Sequence, residues 1–201
     1  DERDIAIDFH GAISPQTAKL LIKALEPYQP MFIEEPVQCQ NVEVMAEIAR
    51  GTHLPIATGE RVFTKWGFRE LLEKGAASIL QPDLCHAGGI TEVRLIAGMA
   101  ESYYAAIAPH NPLGPIAGAA ALHFAVSTPN HIIQEEMVGA VPWYFDVVRG
   151  PIVMTDGHWQ VPDTPGLGVE VEEGECAKHP FAPEVYHTKN AVLEDGTIVD
   201  W

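Results

Sequence analysis

Cysteine is scarce in this chain, and the few present do not suggest pairing. Cys39, Cys85 and Cys176 are odd in number and far apart, with no CxxC or zinc-type spacing. A disulfide framework is therefore not expected, and a reducing compartment, the cytoplasm, is. Positive charge is also short: 12 Lys and Arg face 28 Asp and Glu, for a formal net charge of −16. Binding nucleic acid needs a basic face, so nucleic acid is not an expected partner. An anionic small molecule remains admissible, because a bound cation reverses the local field. No apolar run reaches the roughly 18 residues of a membrane span. No secretory signal and no low-complexity tract is visible. The chain opens on Asp1 and runs almost at once into a strand, which gives the expectation of a partial chain. With 47% hydrophobic residues over 201 positions, a substantial core is expected.

The first 140 residues carry a repeating beat of strand, turn and helix. Ile5–Phe9, Met31–Ile33, Pro55–Thr58, Ser78–Gln81, Ala105–Ala108 and Ile132–Gln134 are short, continuous apolar runs. Such runs mark parallel strands covered on both faces. Between them lie helical stretches at Gln16–Glu26, Val42–Arg50, Lys65–Lys74, Gly89–Ala100 and Pro115–Val126. Ser14-Pro15 supplies an N-cap and a first-turn proline for the first of these. The alternation predicts βαβ units and an α/β fold. Ionisable residues close nearly every strand, which favours a closed barrel over an open sheet with one switch point. Beyond about residue 140 the beat stops. The segment 141–201 is rich in Gly and Pro and is expected to pack against the barrel or another domain. Within it, Asp195-Gly196 suggests a hairpin turn.

The strand ends, in order, hold Asp8 with His10, Glu34 with Glu35, Glu60, Asp83, His110, and Glu135 with Glu136. Asp8, Glu34 and Glu60 recur at a 26-residue interval, close to the length of one strand, one helix and two turns. Acids at the same end of successive parallel strands converge, and three carboxylates suit a hard cation such as Mg²⁺. Zinc would prefer nitrogen or sulfur. Glu35 neighbours Glu34 and must point to the opposite face of its strand. It is expected to support the ligands, as is Arg61. His10 projects on the same side as Asp8. His110 sits between prolines that fix its backbone. Asp83, on the preceding strand, is placed to hydrogen-bond its far nitrogen, orienting it and raising its basicity. The other histidines lack such a phase and are expected to be surface or structural, with His86 the least settled.

These residues resemble the enolase superfamily, mandelate racemase subgroup, and within it the acid-sugar dehydratases. The resemblance rests on Asp8-Phe9-His10-Gly11, Phe32-Ile33-Glu34-Glu35-Pro36, Gly59-Glu60-Arg61, Gln81-Pro82-Asp83, Gly88-Gly89-Ile90-Thr91 and Pro109-His110-Asn111-Pro112-Leu113-Gly114-Pro115. Pro165-Gly166-Leu167-Gly168-Val169 and Trp201 extend it into the tail. It implies the C-terminal part of a modified (β/α)7β TIM-type barrel. An N-terminal capping domain and the first strands would lie outside this chain. It also implies Mg²⁺ on Asp8, Glu34 and Glu60.

The implied reaction is dehydration of an aldonate such as D-galactonate to a 2-keto-3-deoxy acid. His110, oriented by Asp83, would take the C2 proton. His10 would protonate the departing 3-hydroxyl. Mg²⁺ and Glu135 would stabilise the enediolate. A racemase or epimerase of a 2-hydroxy acid would share the metal and the His–Asp pair but would not need His10. A non-catalytic sugar-acid-binding barrel is the alternative of another class. The resemblance also implies a homo-oligomer.

Overall fold

The structure, a computed structural model, describes residues 4–150 and 153–183. Strands β1 (Ile7–Asp8), β2 (Ile33–Glu34), β3 (Ile56–Thr58), β4 (Ile79–Leu80) and β5 (Ala106–Ile107) form one sheet in the order β1-β2-β3-β4-β5. Every pairing is parallel. Each strand lies beside its successor in sequence, so the sheet winds in one direction and the described residues contain no switch point. Such winding is that of a βα barrel, not of a doubly wound sheet.

The crossovers are helices α1 (Pro15–Leu25), α2 (Val42–Arg50), α3 (Thr64–Lys74) and α4 (Gly89–Glu101), and α5 (Pro115–Val126) follows β5. Local chemistry sets their ends. Ser14 Oγ accepts from the Thr17 amide ahead of α1, and Asn41 Oδ1 from the Val44 amide ahead of α2. Gly75, at φ 62°, takes the left-handed turn that ends α3.

Both faces of the sheet are covered, as the continuous apolar runs require. Ile33, Ile56, Leu80 and Ile107 join the large core under the helices with Phe68, Ile96 and Phe124. Phe32, Ala57, Ile79 and Ala108 form a second, smaller cluster on the opposite, inward face. Alternation along the strands then sends Asp8, Glu34 and Gln81 inward and Glu35 toward the helices.

A sixth strand over Ile132–Gln134 does not form. A single parallel bridge joins Ile107 to His131 instead. Ile132 and Ile133 stay 49% and 43% exposed, and the Gln134 amide donates to the Pro109 carbonyl. The Ile132 amide donates to the Ile107 carbonyl at 2.9 Å, and the ladder goes no further.

The tail pairs β6 (Val148–Arg149) antiparallel with β9 (Glu170–Val171), and β7 (Met154–Thr155) with β8 (His158–Trp159). An Asp156-Gly157 turn, both residues at positive φ, closes the second hairpin. The Asp195-Gly196 hairpin and Trp201 lie outside the described residues. Among those residues no helix is long and apolar enough to cross a membrane.

Gly59 joins fold to site. It sits at φ 151°, and a Cβ there would lie 2.7 to 2.9 Å from the backbone N, C and O of Gln81. Gly59→Ala is expected to push β4 away from β3 at Gln81. The expected cost is about 1–3 kcal/mol, readable by denaturant unfolding.

Candidate active site

The inward rim of the sheet gathers the acids. Asp8 pairs in register with Glu34, but Glu34 pairs with Ala57, three residues short of Glu60. Glu60 reaches the cluster after the Gly59 turn, not as an in-register continuation of the ladder. The carboxylates nonetheless sense one another. Burial, opposed by a hydrogen bond from Gln81 and reinforced by the charges of Asp8, Glu135 and Glu60, lifts the Glu34 carboxyl to about 7. Burial also raises Glu60, against the counteracting imidazoles of His110 and His10. His10 Nδ1 stands 3.2 Å from Asp8 Oδ2 and 3.8 Å from Glu60 Oε1, so one ring nitrogen faces two of the three acids. The His10 amide donates to Asp8 Oδ1 at 2.6 Å, and φ is 53° at His10.

The next strand ends bring Asp83 and His110 together. Leu80 pairs with Ile107, and each of the two residues lies three positions further on, level across the ladder. His110 Nδ1 is 2.8 Å from Asp83 Oδ2, while its Nε2 faces Glu60 Oε2 at 3.4 Å. Asp83 Oδ1 is occupied separately, accepting from the Cys85 amide at 2.7 Å and the His86 amide at 3.2 Å. Burial pulls the His110 imidazole down. The hydrogen bond to Asp83 and the charges of Glu60 and Glu135 outweigh it, leaving a base stronger than ordinary histidine. Burial likewise raises Asp83, but hydrogen bonds from His110 and the Cys85 amide leave it below the usual range. Glu135 Oε2 accepts from the Asn111 amide at 2.7 Å.

Behind the rim, Glu35 is fully buried at φ 43°. Its Oε1 accepts from the Thr58 hydroxyl and from the Gly59 amide at 3.3 Å. Its Oε2 meets the Arg61 guanidinium at 2.7 Å. Arg61 Nε also lies 3.5 Å from Glu60 Oε1, and Arg61 donates to the His10 carbonyl at 2.9 Å. One arginine thus ties the ends of β1, β2 and β3 together.

Several contributors escaped the sequence reading. Gln81 supports Glu34, and its parity with Ile79 was the available signal. Asn111 bridges Glu135 and Glu136, donating to Glu136 Oε2 at 2.8 Å. The Tyr144 hydroxyl, brought from the tail, donates to Glu136 Oε1, and no local pattern announces it. His86, expected to be surface or structural, comes instead to the edge of this pair. Its Nδ1 stands 3.6 Å from Asp83 Oδ2.

The raised Glu34 carboxyl has a consequence for stability. Between its ordinary 4.5 and about 7 the folded chain holds a proton that the unfolded chain gives up. The metal-free protein is therefore expected to lose stability as pH rises through that window, and a divalent cation to restore it at the upper end. Thermal unfolding at both ends of the window, with and without Mg²⁺, measures this.

Comparisons with known proteins agree with the fold. Residues 1–175 match the family described as enolase C-terminal domain-like. D-galactonate dehydratases from Ralstonia nicotianae and Ralstonia pickettii are 44% and 45% identical to the chain over 204 and 206 residues. Each alignment covers 98% of this chain and 53% of the relative, so the chain spans about half the length of these curated relatives. The mandelate racemase/muconate lactonizing enzyme from Sulfitobacter sp. superposes with a TM-score of 0.87 at 40% identity, over 92% of this chain and 46% of that one. With its single-direction parallel sheet and matching sequence, the chain belongs to the enolase C-terminal domain-like family.

Proposed function

We propose that the protein of which this chain is part dehydrates a sugar acid, an aldonate such as D-galactonate, to a 2-keto-3-deoxy acid. The observation that carries the reading is His110. One ring nitrogen is held by Asp83 at 2.8 Å, and the other faces the acid cluster at Glu60. That is an oriented base beside a cluster of carboxylates. The names of the Ralstonia relatives support the substrate class.

Asp8, Glu34 and Glu60 would hold Mg²⁺. The donor chemistry fits: all three are carboxylates, and Glu34, lifted chiefly by burial and further by the charges of Asp8, Glu135 and Glu60, calls for a countercharge. When bound, the ion supplies the positive charge that lets a carbon acid lose its proton beside a carboxylate. Removing that proton beside an unneutralised carboxylate would put two negative charges on one group.

His110 takes the C2 proton on the nitrogen turned from Asp83. Asp83 holds the tautomer and stabilises the imidazolium. Glu135, whose Oε2 accepts from the Asn111 amide, contributes to stabilising the enediolate. His10 gives a proton to the 3-hydroxyl as the C3–O bond breaks, and water leaves. The resulting enol becomes the 2-keto-3-deoxy acid. With His10 Nδ1 turned to Asp8, Nε2 is the position from which that proton departs.

The test is a panel of aldonic acids incubated with the intact protein and Mg²⁺, with assay for 2-keto-3-deoxy products. Product from at least one aldonate, abolished by EDTA, is expected. Racemisation or epimerisation without loss of water would replace this reading, and binding without turnover would leave a sugar-acid-binding barrel.

A further inference from the structure

The turn after β4 holds a cluster that the proposed dehydration does not use in full. One ring nitrogen each from His86 and His110 and one oxygen of Asp83 all lie within 4.8 Å of one another. The His86 side chain is 49% exposed, whereas those of Asp83 and His110 are 2% and 14% exposed. His86 therefore forms the solvent side of the cluster, and Asp83 and His110 its buried side. The two amides on Asp83 Oδ1 fix the carboxylate and leave Oδ2 facing both imidazoles.

We propose that Asp83, His86 and His110 form a second cation site, for a borderline first-row ion such as Zn²⁺, and that its occupation stops the dehydration. The 3.6 Å between His86 Nδ1 and Asp83 Oδ2 is too long for a good hydrogen bond. It is close to the separation of about 3.3 Å between neighbouring ligands on a tetrahedral ion with bonds of about 2.0–2.1 Å. The 2.8 Å from His110 to Asp83 needs only a small opening. The rings of His86 and His110 stand 6.5 Å apart, tilted by 41°, so they converge without stacking. Two imidazoles and one carboxylate select zinc-like ions, whereas the neighbouring all-oxygen set selects Mg²⁺. The fourth position is open to water through the exposed side of His86.

Occupation would remove the base. Bound through Nδ1, the neutral ring carries its hydrogen on Nε2 and has no lone pair left to take a proton; bound through Nε2, the basic nitrogen itself is taken. The blocking half of the proposal rests on His110 being the base; the binding half does not.

The experiment is a Co²⁺ titration of the intact protein in saturating Mg²⁺, followed by visible absorption and then by displacement with Zn²⁺. Tetrahedral Co²⁺ bands that Zn²⁺ bleaches are expected. His86→Ala should weaken Zn²⁺ binding by about tenfold or more, and Glu34→Gln should leave it unchanged. Zn²⁺ should slow dehydration, relative to each protein's own Mg²⁺ rate, far less in His86→Ala. Equal Zn²⁺ affinity in His86→Ala, or bands that vanish in Glu34→Gln, overturns the site. Dehydration without any His86-dependent binding removes the site and leaves the function. His86-dependent binding with no dehydration under any condition supports the site and removes the function.

Discussion

Replacing His110 with asparagine is expected to lower dehydration by about 10²–10⁴-fold, the usual contribution of a positioned general base. Asparagine keeps a polar head of similar reach, so Asp83 retains a partner and the β4–β5 rim keeps its shape. What disappears is the basic nitrogen that faces Glu60 at 3.4 Å. Following the C2 proton in D₂O by NMR isolates this step. In the variant, exchange should vanish along with turnover. Exchange at the wild-type rate would place the base elsewhere. His10→Asn should separate the two halves of the reaction. Exchange continues because His110 is intact, while loss of water slows. Dehydration at full rate in His10→Asn would remove His10 from the chemistry.

Truncating Glu35 to alanine is expected to cost about 3–5 kcal/mol, the range for breaking a buried ion pair by deleting one partner. Glu35 is fully buried, and it satisfies the Thr58 hydroxyl, the Gly59 amide and the Arg61 guanidinium at once. Alanine leaves all three facing a cavity. The effect should extend to function, because Arg61 also contacts Glu60 and the His10 carbonyl. Released from Glu35, it no longer fixes either. Denaturant unfolding gives the stability loss. Glu35→Gln, which keeps the volume and an acceptor oxygen, should cost less. Equal losses for the two variants would mean that charge, not shape, holds this corner.

Much of the architecture was legible because parallel strands are simple in sequence. They are apolar on both faces and separated by helices, and Ile33, Ile56, Leu80 and Ile107 alternate with Phe32, Ala57, Ile79 and Ala108 between the two cores. The 26-residue interval was informative for a mixed reason. It matches the register between Asp8 and Glu34, but β2 and β3 pair with Glu34 against Ala57. Glu60 arrives only because Gly59, at φ 151°, turns the chain over Gln81. A positive-φ detour of that kind leaves no periodic trace.

The pairing of Asp83 with His110 follows strand register and could be anticipated. The reach of His86 back over Asp83 depends on a turn conformation and could not. Nor could Tyr144, whose approach to Glu136 is a long-range contact from the irregular tail. The expected strand at Ile132–Gln134 failed because an apolar run pairs only where a neighbour covers it, and these residues stay half exposed.

The central claim, a single divalent ion gripped by three strand-end carboxylates, is tested most directly by a crystal of the intact protein grown with Mn²⁺. Mn²⁺ takes the same oxygen donors as Mg²⁺ and scatters anomalously. The account predicts one anomalous peak bonded to an oxygen of each of Asp8, Glu34 and Glu60. Three carboxylates that share no ion, or a peak that excludes any one of them, would contradict it.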